Sequence, residues 1–281
     1  MTQTVGDAIR GASHALSDVS DAPRQEAEWL MAHALETSRE AMVLRHMRDE
    51  APLGFAGMLA RRAGGEPLAH ILGTQPFYGM ELKVTPDVLI PRADSETLIE
   101  AALSADADPA RVLDCGTGSG ALLLAALRVW PLAIGIGMDI SDAALVVARG
   151  NARKLGLDTR ATFERGDWTR AGWSEEMGRF DLVLANPPYV ETDDPDLDPQ
   201  VALHEPGLAL FAGTDGMDAY RKLLPAMPEL LTPGGIACVE IGMRQGDAVV
   251  ALARAAGMDA RIVEDTGHRP RAVLLRVQGG G

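Results

Sequence analysis

Between Val112 and Leu127 an apolar run, a turn holding three glycines and a second apolar run follow one another without a break. Val112-Leu113 suits a buried strand, Asp114-Cys115-Gly116-Thr117-Gly118-Ser119-Gly120 a turn, and Ala121-Leu122-Leu123-Leu124-Ala125-Ala126-Leu127 a helix. Glycine at 116, 118 and 120 permits positive φ and close approach of backbone to a ligand, while the first turn of the helix presents N–H groups with no intrahelical partner. Such a turn suits a nucleotide-like cofactor; it also serves dinucleotide enzymes, or simply packs tightly. The dinucleotide spacing G-x-G-x-x-G is not met, because Gly120 comes two residues after Gly118 and is followed by Ala121 and Leu122. From Arg111 onward strand-like and helix-like segments alternate, which predicts an α/β fold, a parallel sheet with helices on both faces.

Two further strand-like runs end in acids. Ala133-Ile134-Gly135-Ile136-Gly137-Met138 leads into Asp139, at about the distance where doubly wound folds place a carboxylate against ribose hydroxyls. Ala161 to Gly166 leads into Asp167-Trp168, where an acid can accept from an adenine amino group and an indole can cover the ring. The alternative for such acids is capping of the next helix, a role open to Asp142 as well; Asp114 is either a ligand or a brace for its own turn.

A fourth run, Asp181-Leu182-Val183-Leu184-Ala185, closes in Asn186-Pro187-Pro188-Tyr189. This tetrapeptide is suited to methylation of a planar, weakly nucleophilic nitrogen. The lone pair of an amide or exocyclic amine is delocalised, so the group attacks poorly unless its N–H bonds are gripped. The Asn186 oxygen can accept one of them and a backbone carbonyl another, since each proline fixes φ and biases its predecessor toward extended backbone. Tyr189 can lie against the planar group and exclude water. A proline-rich turn ending a buried strand is the plainer alternative.

The 281 residues favour about two domains, and 47% hydrophobic content suffices for real cores. A net charge of −14 argues against holding nucleic acid chiefly through phosphates. Arg61-Arg62 and Arg269 with Arg271 are the candidates for a local basic patch. The two cysteines, Cys115 and Cys238, lie in apolar runs and fit small core residues of a reducing compartment. None of the six histidines shows a paired ligand spacing, so no metal is expected. Met1-Thr2-Gln3-Thr4 begins no leader-like segment, and the apolar stretch Ala121 to Met138 is interrupted by Arg128 and Pro131, so a cytoplasmic, non-membrane protein is expected.

Before residue 73 the apolar positions (Val5, Ala8-Ile9, Ala12, Leu16; Ala27, Leu30-Met31, Ala34-Leu35) repeat with helical spacing and predict a small bundle, with Trp29 and Met31 in its core. Asp21 before Ala22-Pro23 marks a helix start and Gly64-Gly65 a stop. Thr74 to Val84 alternates around Gly79 and predicts a hairpin, giving boundaries of 1–73, 74–90 and 91–281 for bundle, link and catalytic domain. Residues 190–217 form a long, acidic, proline-bearing connection, a candidate wall or lid. Ala260 to Glu264 and Ala272 to Val277 predict an antiparallel hairpin at one edge of the sheet, and Gly279-Gly280-Gly281 a disordered end.

The chain resembles the peptide chain release factor glutamine N5-methyltransferases. The resemblance rests on Gly65-Glu66-Pro67-Leu68-Ala69-His70-Ile71-Leu72-Gly73, Phe77-Tyr78-Gly79, Ile90-Pro91-Arg92-Ala93-Asp94-Ser95-Glu96, the turn from Asp114 to Gly120, Met138-Asp139-Ile140-Ser141, Asn186-Pro187-Pro188-Tyr189, Glu205-Pro206, and Glu240-Ile241-Gly242 with Gln245. Ser95 stands where that family usually has Thr, and His70 where Tyr is common. The resemblance implies a Rossmann-like class I methyltransferase sheet with a C-terminal antiparallel hairpin behind a helical bundle that docks the acceptor. It implies S-adenosylmethionine as donor, S-adenosylhomocysteine as product, and a class 1 release factor as protein substrate, methylated on the glutamine of its Gly-Gly-Gln loop. By position, Asp114, Gly116, Thr117, Gly118, Ser119 and Gly120 belong with the donor, Asp139 with its ribose, Asp167 and Trp168 with its adenine. Asn186 is shared between donor and acceptor, with Pro187, Pro188 and Tyr189 completing the catalytic segment. A monomer without direct nucleic-acid contact is expected; the alternative sharing Asn-Pro-Pro-Tyr is a DNA adenine N6-methyltransferase.

Overall fold

A computed structural model describes residues 3–278. The expected disorder of Gly279-Gly280-Gly281, and the first two residues of the supposed leader-free start, lie outside the described residues. The chain forms two units: one runs up to Thr74 and includes Asp198–His204, and the other comprises Gln75–Leu197 and Glu205 onward.

The smaller unit is built from the helices Val5–Ala15, Pro23–Ala34, Arg39–Arg45, Gly54–Ala63 and Leu68–Leu72, joined by Pro199–His204. Thr4 and Ser38 cap two of them, accepting from the backbone N–H of Asp7 and Ala41 at 3.2 and 3.1 Å. The second helix starts one residue later than Asp21 suggests: Ala22 is its N-cap and Pro23, lacking an N–H, takes the first helical position. Val5, Ile9, Leu16, Leu30, Met31 and Met42 are buried together. Trp29 is not a core residue, since it remains 39% exposed. Ala27, Leu30, Met31 and Ala34 make the i, i+3, i+4, i+7 stripe of that helix, and Trp29 falls beside it. Arg61 bonds Glu66 at 2.7 Å and Arg62 bonds Glu26 at 2.6 Å, so neither arginine contributes an uncompensated basic patch.

From Gln75 onward the larger unit takes in the two-stranded hairpin of β1 (Thr74–Phe77) and β2 (Met80–Lys83), and a seven-stranded sheet. Tyr78 and Gly79 at the hairpin tip both have positive φ, 46° and 68°, as a turn matched to strand twist requires. The sheet strands are β3 (Arg111–Cys115), β4 (Ile134–Asp139), β5 (Ala161–Arg165), β6 (Phe180–Ala185), β7 (Leu231–Glu240), β8 (Met258–Glu264) and β9 (Pro270–Val277), in the order β5-β4-β3-β6-β7-β9-β8. Strands β3 to β7 pair in parallel, and β9 runs antiparallel between β7 and β8, as the C-terminal hairpin predicts.

Both faces of the sheet are covered, which explains why its central strands are apolar without alternation. Leu182 and Leu184 point into one cluster with the helices Glu96–Ser104, Ala121–Val129 and Asp142–Lys154; Val183 and Ala185 point into the other, with Asp218–Leu223 and Gly246–Ala255. Cys115 and Cys238 are buried free thiols in these clusters. The chain winds from β3 outward through β4 to β5, then returns to place β6 on the other side of β3. The C-terminal ends of β3 and β6 therefore flank a topological switch point, where open α/β sheets hold ligands.

One local expectation is corrected: Ser141, not Asp142, caps the helix Asp142–Lys154, its hydroxyl accepting from Ala144 N–H. The connection 190–217 carries structure of its own, the helices Pro199–His204 and Gly207–Leu210, and Val190 bridges Phe211. Pro199 and Pro206 pre-set φ where these two helices begin.

Candidate active site

The glycine turn leaves β3 in the left-handed region three times, with φ of 75°, 53° and 85° at Gly116, Gly118 and Gly120. A Cβ on Gly116 would meet the Trp168 ring at 2.7 Å, whereas one on Gly118 would meet nothing within 4 Å. The indole thus lies against one side of the turn, and the turn opens to space at Gly118. Asp114 braces this loop from behind: its Oδ2 accepts from the Thr117 hydroxyl at 2.7 Å and the Leu123 N–H at 3.2 Å. Its Oδ1 is buried without a partner, and burial pushes the carboxyl up to about 7. Ser119 is likewise buried, its carbonyl accepting from Asn151 at 2.9 Å.

Asp139, at the end of β4, stands beside the same loop. Its Oδ2 accepts from Gly118 N–H at 2.8 Å and its Oδ1 from Ser141 N–H at 2.9 Å. Burial raises its pKa, opposed by these backbone bonds. A carboxylate has about four acceptor sites, so two remain for a pair of hydroxyls. Asp167 follows β5 and spends its carboxylate locally: Oδ1 accepts from the Thr169 N–H and hydroxyl, and Arg170 lies 3.3 Å from Oδ2, which together lower its pKa. The open turn at Gly118, the half-engaged Asp139 and the Trp168 ring fit a nucleoside-bearing donor such as S-adenosylmethionine.

The parallel register carries Asn186 to this place. Cys115 pairs with Ala185, so the next residues, Gly116 and Asn186, leave adjacent strands at the same end of the sheet. Pro187 is buried, and Asn186, Pro188 and Tyr189 are half-buried. The Asn186 Nδ2 donates to the Ser95 hydroxyl at 3.1 Å. Gln245 holds the backbone at the other end of the tetrapeptide, donating from Nε2 to the Tyr189 carbonyl at 3.0 Å and the Gly216 carbonyl at 3.2 Å. The Tyr189 hydroxyl lies 3.3 Å from Glu240 Oε1, and burial, then the Glu240 charge, raises the phenol pKa.

Glu240 ends β7, 1% exposed, and burial pushes its carboxyl up to about 7 against the lowering influence of Ser95, Arg271 and Tyr189. Arg271 bonds Asp94 at 2.8 Å, and Arg269 bonds Asp265 at 2.8 Å, so the second candidate basic patch is also neutralised. Glu205 ties the segment Ile90-Pro91-Arg92 down, accepting from Ile90 N–H at 2.9 Å and pairing with Arg92. The turn from Asp114 to Gly120, Asp139, Trp168 and the tetrapeptide therefore meet along one sheet edge. Ser95, Glu240 and Gln245 lie in segments that carry the family resemblance, but their supporting contacts emerge only when β7 and the segment before Glu96 are packed beside β6.

Comparison with known proteins agrees with this geometry. Residues 7–73 match the PrmC N-terminal domain, and residues 106–262 match a methyltransferase domain. A release factor glutamine methyltransferase of Caulobacter vibrioides is 42% identical over 98% of this chain and 96% of that protein. Its counterpart in Moorella thermoacetica is 41% identical over 98% and 97%. A solved methyltransferase structure from Pyrococcus furiosus aligns with a TM-score of 0.51 at 15% identity, covering 78% of this chain and 98% of that one, a likeness of fold alone. With both parts of the chain matched and identity above two-fifths from end to end, the chain belongs to the release factor glutamine methyltransferase family, S-adenosylmethionine-dependent enzymes.

Proposed function

We propose that this chain methylates the side-chain amide nitrogen, N5, of a release factor glutamine, the one in the Gly-Gly-Gln loop of class 1 peptide chain release factors. The observation that supports it most is the pairing of Cys115 with Ala185, which brings the glycine turn and Asn186 out of neighbouring strands side by side. Bound S-adenosylmethionine supplies an electrophilic methyl on its sulfonium. Gly116 to Gly120 would cradle the donor's methionine part, Asp139 its ribose and Trp168 its adenine, with Asp167, whose Oδ1 is taken by Thr169, offering the adenine only Oδ2. Asn186 Oδ1 and a carbonyl of the Asn-Pro-Pro segment accept the two N–H bonds of the glutamine amide, and Tyr189 walls off water. Holding the amide in a near-attack arrangement can contribute on the order of 7–11 kcal/mol. No strong base is needed first, because the nitrogen becomes acidic only as the new bond forms.

The N-terminal unit is proposed to dock the release factor, and the enzyme to act as a cytoplasmic monomer without contacting nucleic acid. Two observations favour a protein over DNA as acceptor: the net charge of −14, and the pairing of Arg61, Arg62, Arg269 and Arg271 with carboxylates. Among the described residues no helix is long and apolar enough to cross a membrane. Labelled-methyl transfer, run in parallel on a purified class 1 release factor and on duplex DNA, tests the reading. Label in the release factor alone is expected; label in DNA alone would refute it.

A further inference from the structure

We infer that Gln245 is a positioning residue for the acceptor: it locks the peptide group that closes the Asn-Pro-Pro-Tyr segment, and through it the direction in which the upstream carbonyls point. The inference rests on the role proposed above for that segment. Pro187 and Pro188 have no N–H with which to fix their own peptide planes. The carbonyls of Asn186 to Pro188 are the ones offered to the acceptor, so holding them in place falls to contacts at the ends of the segment.

The peptide joining Tyr189 to Val190 is held on both sides. Gln245 Nε2 donates to the Tyr189 carbonyl at 3.0 Å, and the Val190 N–H donates to the Leu210 carbonyl at 2.9 Å. The same Nε2 donates its second proton to the Gly216 carbonyl at 3.2 Å, while the Gly242 N–H donates to Gln245 Oε1 at 3.1 Å. Carbonyls only accept and a backbone N–H only donates, so these three partners allow the carboxamide one orientation. The Tyr220 hydroxyl lies 3.4 Å from Oε1 as well, its shorter bond going to the Glu240 carbonyl at 2.9 Å. Gln245 is itself fixed at the backbone: its N–H closes a turn on the Gly242 carbonyl at 3.0 Å, and it stands at the N-cap of the helix Gly246–Ala255. The packing leaves no slack, because Gly216 is buried with φ 66° and a Cβ there would run into both the Tyr189 carbonyl oxygen and Gln245 Nε2. Without the Nε2 bond the peptide keeps only its Leu210 contact and can turn about it. The two prolines, each locked in φ, carry that turn back to the carbonyls that face the acceptor, where a shift of about 1 Å can cost on the order of 10²-fold in rate. The side-chain contacts of Gln245 fall on Tyr189, Gly216, Gly242 and Tyr220, none of them assigned to the donor.

The test is single-turnover methylation of a purified class 1 release factor at saturating donor and acceptor, with donor Kd from calorimetry and thermal unfolding on the same preparations. Q245E keeps the shape but sets a second oxygen against two carbonyls, and Q245M fills the space without a donor. Each is expected to slow transfer about tenfold or more while changing donor Kd less than about threefold, the pattern of a group that acts on the transition state and not on donor binding. Adding Q245M to N186A is expected to cost less than the product of the two single losses, since both changes spoil one placement. Parental rates in Q245E and Q245M, with N186A impaired, would overturn the clamp and leave the role of Asn186 standing. So would a donor Kd that rises as far as the rate falls, or loss of folding in both variants, because Gln245 would then serve donor binding or structure alone. If Q245E alone fails to fold, Q245M decides. An unimpaired N186A, or a parent that transfers no methyl to the release factor, would remove the reading on which the clamp rests, and the clamp with it.

Discussion

In the proposed mechanism Asn186 orients the acceptor amide, so its loss is to be read in the transfer rate far more than in donor binding. N186A is expected to lower the transfer rate on the order of 10²-fold, as misplacement of a reacting group does, with donor affinity nearly unchanged. Calorimetry beside single-turnover kinetics checks this, and an undiminished rate would show that the amide is oriented by something else. Asp114 carries a different prediction, one of stability. Its carboxyl titrates near 3.8 when unfolded and at about 7 in the fold, because burial disfavours the charge. Between those values the unfolded chain ionises while the folded one stays protonated, so rising pH destabilises the native state until both forms are ionised. D114N does not titrate there. Its stability relative to the parent is expected to improve between pH 4 and 7 by as much as about 4 kcal/mol, read from urea unfolding at several pH values. A constant difference across that range would contradict the burial of the charge.

At the scale of elements, Asn151 shows what the sequence leaves unspoken. It is fully buried in the helix Asp142–Lys154 and bonds three backbone groups: the N–H of Lys83 at 2.7 Å, the carbonyl of Lys83 at 3.0 Å and that of Ser119 at 2.9 Å. One side chain thus joins the hairpin strand β2, the helix and the glycine turn. N151A is expected to cost about 2–4 kcal/mol, since the polar groups it abandons are poorly hydrated, and to weaken donor binding as well. Thermal unfolding with and without S-adenosylmethionine measures both, and a loss below about 0.5 kcal/mol would deny the tie. The strands β3, β4 and β6 were legible from sequence because burial inside the sheet forces apolar runs, and the glycine turn because its backbone geometry excludes most other residues. Asn151, Ser95, Glu240 and Gln245 were not legible in role, since each acts across elements far apart in the chain. Trp29 misled for a related reason: its hydrophobicity suggested core, but its angular position on the helix decided otherwise.

At the scale of the molecule, electrostatics divides the possible acceptors. The arginines that could have made a basic surface are each held by a carboxylate, and the chain carries a net charge of −14. Excess duplex DNA is therefore expected to leave release factor methylation unchanged at low ionic strength, where phosphate contacts would be strongest. Competitive inhibition by DNA would contradict that. The topological switch between β3 and β6 was foreshadowed by the alternation of strands and helices, yet the strand order itself depends on crossover directions that no local pattern states. The most direct test of the whole account is peptide mass spectrometry of a class 1 release factor incubated with this protein and S-adenosylmethionine. A single added methyl on the side-chain amide of the Gly-Gly-Gln glutamine is expected. An unmodified glutamine in the presence of folded, donor-bound protein, or a methyl on another residue, would contradict it.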